Sequence, residues 1–201
     1  HSNEGALYVI EKVNGDWTQK QKLTASDVEE NKYFGKQITL SEDGNYALVD
    51  DGYVFKKGED ENWFEQIKLD FSAGSSPTDR NTLIKDGFLI RGNNTQVDIY
   101  TLENENWILS TTLTSENFSD GDRYGESIAF DGEYLIVGSP GDYYTSSNAG
   151  SVYVYQYADN EWNYIIKSWG DDRTGGMEFG RDIQIFDNHV VIARDSGIHL
   201  F

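Results

Sequence analysis

The sequence predicts an all-β fold, a β-propeller of four-stranded antiparallel blades with four repeats as its simplest form. Three observations carry this expectation. Only two prolines stand against twenty glycines, alongside many Tyr, Trp, Phe, Val and Ile residues, a balance suited to short strands joined by glycine turns. Tryptophans recur at Trp17, Trp63, Trp107 and Trp162, spaced by 46, 44 and 55 residues and each preceded by a polar turn. A period in this range signals a solenoid, propeller or array. The stretch from Asp120 to Tyr155 displays the repeating unit: apolar residues alternate in Ile128-Ala-Phe130, run together in Tyr134–Val137 and alternate again from Val152, which is strand patterning.

Each copy reads as four strands. One is an alternating run at Ala6–Ile10, Tyr53–Phe55, Val97–Tyr100 and Val152–Tyr155. The next carries the tryptophan, at Trp17–Leu23, Trp63–Leu69, Trp107–Leu113 and Trp162–Ser168. A third follows an aromatic-glycine pair at Phe34-Gly35, Tyr124-Gly125 and Phe179-Gly180, and a fourth is the compact apolar run at Tyr46–Val49, Phe88–Ile90, Tyr134–Val137 and Val190–Ala193. Tight hairpins are expected at Asn14-Gly15, Asp43-Gly44, Asp86-Gly87 and Asp131-Gly132. The second copy lacks its aromatic-glycine pair before Leu83-Ile84, so that blade is expected to be irregular. The long last interval is explained by a nine-residue loop, Pro140–Asn148, without an earlier counterpart. One such sheet has two apolar faces and little core, so it must stack on its neighbours, and radial stacking hides most of its edges.

These repeats make one domain over residues 1–201, with copies at about 5–51, 52–95, 96–149 and 150–197 and a further strand begun at 197–201. A net charge of −19 repels phosphate backbones and anionic lipid, which disfavours nucleic-acid and membrane-surface partners. Without cysteine there is neither a disulfide frame nor thiol chemistry. No run of about 18 apolar residues occurs, so membrane insertion is not expected. The opening His1-Ser2-Asn3 reads as an added scar, with room for a processed leader upstream.

The aromatic-glycine pairs, the run Leu135-Ile-Val-Gly-Ser-Pro-Gly-Asp142 and the strand Gly150-Ser-Val-Tyr-Val-Tyr155 resemble the FG-GAP repeats of integrin-like β-propellers and their bacterial and protist relatives. Gly5-Ala-Leu-Tyr-Val and Trp17–Asp27 are similar to the bacterial forms. The resemblance covers nearly the whole chain, and only the third copy has both halves of the motif. It implies a propeller with adhesion, lectin-like or structural roles. Its physical sense is that glycine admits the backbone to a crowded place while the ring fills the wedge between blades.

Ring closure is left open by the sequence. The strand type of Gly5-Ala-Leu-Tyr-Val returns at Gly197–Phe201, so it occurs once more than the others. A four-bladed ring with a shared seam, a piece of a six- to eight-bladed chain and a ring shared by two chains all fit that count.

Candidate sites are few. His1, His189, expected in a turn, and His199, on the terminal strand, lie far apart in the repeat scheme and outside any metal or triad motif, so no catalytic residue is nominated and the chain is expected not to be an enzyme. The resemblance implies calcium, held in this family by an Asp-x-Asp-x-Asp-Gly loop. That full loop is absent, and the nearest carboxylates are Asp120, Asp122 and Asp142, with Asp50-Asp51 and Asp171-Asp172 as further clusters. Calcium is thus the one cofactor to consider, and none is required. The loop after Pro140 is the best ligand candidate, with Tyr143 and Tyr144 to stack on a sugar or a partner side chain and Asp142 and Asn148 to hydrogen-bond; the same tyrosines would also fold back over a blade edge. Sequons at Asn93 and Asn117 fit surface turns that a secretory pathway would glycosylate.

The expected function is a non-enzymatic extracellular or cell-surface binding module for adhesion or protein/glycan recognition. The alternative is a structural repeat unit of a surface filament or larger assembly, self-associating through its terminal strands.

Overall fold

The computed structural model describes residues 5–27, 34–50, 52–71, 81–115, 119, 121–143, 148–170, 175–186, 189–195 and 197–200. Among these every regular element is a strand, and each sheet is an antiparallel meander. The chain forms two compact units, His1–Ala73 and Gly74–Phe201.

In the first unit, β1 (Leu7–Val13) and β2 (Asp16–Leu23) form a hairpin, and β3 (Ile38–Leu40), β4 (Tyr46–Val49), β5 (Tyr53–Lys57) and β6 (Trp63–Lys68) make a four-stranded sheet in chain order. Phe34 lies between them. It is buried with Leu7 and Leu23 of the hairpin and with Val49 and Phe55 of the sheet, and its ring meets Tyr53 edge-on at 5.3 Å. The side-chain amide of Gln21 joins hairpin to sheet by donating to the Trp63 carbonyl at 2.7 Å and accepting from its N–H at 2.8 Å.

The second unit holds three sheets. β7 (Thr82–Lys85), β8 (Phe88–Gly92), β9 (Gln96–Glu103) and β10 (Asn106–Thr114) form one; β11 (Ser127–Phe130), β12 (Tyr134–Ser139), β13 (Ser151–Ala158) and β14 (Glu161–Ser168) form the next; β15 (Asp182–Phe186), β16 (His189–Arg194) and β17 (Gly197–Leu200) form the third. The leading strand β11 packs against β7 on one side and β15 on the other, so successive sheets stand side by side like blades. Tyr124 is fully buried in the wedge between the first two, among Val97, Ile99 and Leu113 on one side and Leu135 and Val137 on the other. Phe179 fills the next wedge, among Ile136, Val152, Ile183 and Ile192. The aromatic half of the motif therefore does what packing requires of it.

The glycine half has an equally direct cause. A Cβ on Gly92 would sit 1.8 Å from the Gly125 carbonyl oxygen, and one on Gly138 2.1 Å from that of Gly180. The backbones of the Tyr124-Gly125 and Phe179-Gly180 pairs are pressed onto the end of the preceding blade's second strand. In the first unit Asp50 occupies the place of Gly138, and its carboxylate accepts from the N–H of Gly35 at 2.5 Å and of Gln37 at 2.9 Å. Single parallel bridges, Gly5 to Phe34 and Gly150 to Phe179, complete the latch.

Three expectations need adjustment. The second blade is not irregular, because β7–β10 pair in full; its departure from the repeat falls in 72–80, outside the described residues. The sheets are offset by two strands from the sequence copies: the copy at 5–51 gives β1–β2 to a hairpin and β3–β4 to the following sheet, since each sheet starts after an aromatic-glycine pair. His189 begins β16 instead of lying in a turn.

Hairpin chemistry also differs in part from expectation. Asn14-Gly15 and Asp86-Gly87 have positive φ at both positions, as mirror-image turns need. In the Asp43 and Asp131 turns only the glycine is left-handed, and the carboxylate caps the turn instead, Asp131 accepting from the N–H of Glu133 and Tyr134. Asn104-Glu105 and Asp159-Asn160 adopt the left-handed pair with no glycine at all.

Every outer hairpin carries a bulge at the same place. The pairing registers skip Lys20, Gln66, Ser110 and Ile165, each three residues after its tryptophan. A bulge adds one unpaired residue and increases local twist. Four copies of it make the repeat visible in the backbone as well as in the sequence.

Candidate binding site

A crevice of about 810 Å³ opens in the second unit between the end of β10 and the β11–β14 sheet. Thr114 and Ser115 line one wall, Tyr153 and Tyr155 of β13 the floor, and Tyr164 to Lys167 of β14 with Trp169 the other wall. Asp122, Asp142 and Tyr143 close the end.

Two glycine turns bring the carboxylates together. Gly141 sits so close to Gly121 that a Cβ there would fall 1.9 Å from the Gly121 carbonyl oxygen, and Gly121 itself has φ of 104°. The Asp122 carbonyl accepts from the Gly141 N–H at 3.0 Å and from the Ser139 hydroxyl at 2.9 Å. The flanking aspartates therefore enter one crevice from separate loops.

Both side chains are almost wholly buried, Asp122 being 6% and Asp142 5% exposed. Asp122 accepts from the Ser119 N–H through Oδ2 at 2.8 Å. Asp142 Oδ2 accepts from the Ser151 hydroxyl and pairs with the Lys167 ammonium. Burial pushes the Asp122 carboxyl above its ordinary value and the neighbouring Asp142 charge adds to this, against the Ser119 N–H and Lys167. Burial also pulls the Lys167 ammonium down, yet hydrogen bonds with Asp142 and Tyr153 outweigh it and leave the lysine above its ordinary value.

Lys167 is held by rings as well as by charge. Its Nζ lies 4.8 Å from the Tyr153 ring centre and 5.4 Å from that of Trp169. Hydroxyl pairs stiffen the floor, Ser115 with Tyr153 at 2.8 Å and Tyr124 with Tyr155 at 2.7 Å. The arrangement can hold a polar, hydrogen-bonding group against aromatic faces.

The expected site residues divide. Asp122, Asp142 and Tyr143 meet at the crevice, and Tyr143 is 65% exposed, in place for a ligand. Asn148 stays at the far root of its loop, left-handed at φ 56°, where its carbonyl accepts from the Glu178 N–H at 3.0 Å. Asp120, Tyr144 and Asn117 lie outside the described residues, as do Asp51, Asp171 and Asp172. Asn93 is not a surface residue: it is 1% exposed and its Oδ1 accepts from the Thr95 N–H and hydroxyl and the Gln96 N–H, so the folded chain leaves no room for a glycan there. No cluster of three or more His, Cys, Asp or Glu suited to a metal occurs among the described residues. Lys167, Trp169 and Tyr164 to Ile166 escaped sequence reading.

Residues 17–54 and 107–155 match the model of the FG-GAP repeat. Those two segments thus carry the FG-GAP repeat, in keeping with the blade-like sheets of the second unit. No curated protein matches it. Among solved structures, the "putative 6-phosphogluconolactonase" of Bacteroides fragilis is similar with a TM-score of 0.57 and 14% identity, over 98% of this chain and 60% of that one. The chain thus spans about three fifths of that protein's length, and at this identity the likeness concerns the fold alone. Glutaminyl cyclase of Myxococcus xanthus aligns at a TM-score of 0.43 and 10% identity, over 100% of this chain and 92% of that one.

Proposed function

We propose that this protein is a non-enzymatic binding module of the cell surface or extracellular space, recognising a protein or glycan, with the crevice at Asp122, Asp142 and Tyr143 as its seat. The observation that carries the reading is the meeting of two largely buried carboxylates with aromatic side chains in a crevice of ligand size. Sites of that volume with a few placed polar groups are the usual form of a binding pocket. Asp142 is engaged by an ammonium and a hydroxyl, which suits holding a ligand in place.

The test is a glycan array and a panel of extracellular-matrix proteins probed with the parent and with an Asp142→Ala/Tyr143→Ala double variant. A partner bound by the parent and lost by the variant, with β-sheet circular dichroism retained, supports the reading. Binding that survives the double substitution removes the crevice from it. The alternative, a unit of a surface assembly, is favoured by one feature: β14 is a sheet edge with Tyr164, Ile165 and Ile166 all exposed. Light scattering and electron microscopy showing polymers would establish that reading, and a monodisperse monomer would dismiss it.

A further inference from the structure

We infer that the exposed face of the β1–β2 hairpin is an interface for a second copy of this chain, whose β15–β17 sheet covers it head to tail. The inference goes beyond the crevice and stands independently of it; to the alternative of a surface assembly it supplies a contact, at a place other than β14. Its first support is the repeat itself. The outer hairpins share one register and one bulge, so their residues correspond place by place. Ile10 stands where the other hairpins have Phe55, Tyr100 and Tyr155, all buried, yet it is 58% exposed. Tyr8 corresponds to the buried Tyr53 and Tyr153 and is 56% exposed, and Trp17 corresponds to the buried Trp107 and is 68% exposed.

The second support is what buries those counterparts. Tyr153 and Tyr155 share a core with Phe88, Ile90 and Val97 of the preceding sheet, and Trp162 meets Phe88 of that sheet edge-on at 5.5 Å. Tyr53 and Phe55 share theirs with Leu7 and Leu23 of the preceding hairpin. In β1 the alternate residues Leu7 and Val9 turn toward Phe34 and Phe55, so Tyr8 and Ile10 point to the opposite side. That side is the receiving half of a blade contact, and large apolar side chains left together in water mark an interaction surface.

The third support identifies the occupant. The pairing registers place Val191 of β16 where β4, β8 and β12 have Leu48, Ile90 and Ile136; those three are buried and Val191 is half-buried. His189 takes the place of Phe88 and is exposed, and its cross-strand partner Phe186 is 77% exposed. The covering half of a blade contact is thus open as well, and the open half of one copy fits the open half of the next. Charge agrees. Lys12 and Lys22 flank the receiving face, and with Lys20 they outnumber Glu11 and Asp16 on this hairpin, whereas the whole chain carries −19, so the hairpin is a basic piece for an acidic partner. Such a contact joins different surfaces, and its angle decides between a closed ring and a filament.

The test is sedimentation velocity of the full chain over about 1 to about 100 μM, with Ile10→Glu to spoil the receiving half and Phe186→Glu to spoil the covering half. Both side chains are exposed in the single chain, so the fold is kept, and circular dichroism checks it. The expected result is a parent whose larger species grow with concentration and two variants whose self-association is weakened about tenfold or more. An equimolar mixture of the two variants should recover dimers and stop there, because each copy supplies the half that the other has lost. A parent that stays monomeric throughout, variants that associate like the parent, or a mixture no larger than its components overturns the inference. So does loss of association in Tyr164→Lys, which would move the contact to the β14 edge. None of these outcomes touches the crevice, whose reading stands or falls with the array and the double variant.

Discussion

At the scale of single residues, the blades are spaced by backbone contacts that tolerate no side chain. Gly92 has an ordinary φ, so its replacement by alanine costs nothing in local conformation and everything through contact: the new Cβ would lie 1.8 Å from the Gly125 carbonyl. Overpacking of a rigid interior costs roughly 1 to 3 kcal/mol, and Gly92→Ala is expected at the upper end, read as a lowered midpoint in urea. Asp122 behaves oppositely. Its folded carboxyl is raised by burial and by Asp142, so the folded state favours the protonated form. Stability is therefore fullest below the ordinary carboxylate value of 3.8 and declines as pH climbs from there through the raised folded value. Asp122→Asn should melt higher than the parent at neutral pH, with the gap closing on acidification. Scans at several pH values that show a lower melting point for the variant at neutral pH would contradict the assignment. A residue that weakens the fold and lines its crevice is the pattern expected where function is held at the expense of stability.

At the scale of elements, the strand assignment was legible almost throughout. Alternation and the tryptophan period located all four outer hairpins, since a half-buried strand writes its two faces into the sequence. What stayed hidden was the bulge, because an unpaired residue leaves no mark when any side chain can fill it, as Lys20, Gln66, Ser110 and Ile165 do. The left-handed pairs Asn104-Glu105 and Asp159-Asn160 were hidden for a related reason, carrying no glycine to announce them. Deleting Ser110 tests the bulge. Residues after it would pair one place out of step and present their other face, taking Leu113 out of the cluster around Tyr124. A loss of about 2 kcal/mol or more is expected in denaturant unfolding, against little change for Ser110→Ala.

At the scale of the whole molecule, the sequence reported the repeating unit and not the phase in which copies are cut. Gly5 and Gly150 begin equivalent strands, yet the sheets start at the aromatic-glycine pairs, so the copies and the blades are staggered. The site was half legible for the same reason. Asp142 and Tyr143 were marked by an insertion within one copy, whereas Lys167 and Trp169 reach the crevice only through pairing of β13 with β14. Charge acts at this scale too. With −19 overall, like-charge repulsion favours expansion, and added salt screens it. The melting temperature should rise between about 10 and about 300 mM sodium chloride; a fall would show that specific ion pairs such as Lys167 with Asp142 outweigh the general field.

The long loop between β12 and β13 hangs from a closed base. The Asp142 N–H donates to the Ser139 carbonyl at 3.1 Å, the Gly150 N–H donates to the Asp142 carbonyl at 3.2 Å, and Gly150 is bridged to Phe179. These contacts fasten its stem. Segments of other length and composition can be spliced between those anchors without disturbing the sheets, so a lineage carrying this scaffold could change what it recognises by exchanging one short insert, and a protein engineer could do the same.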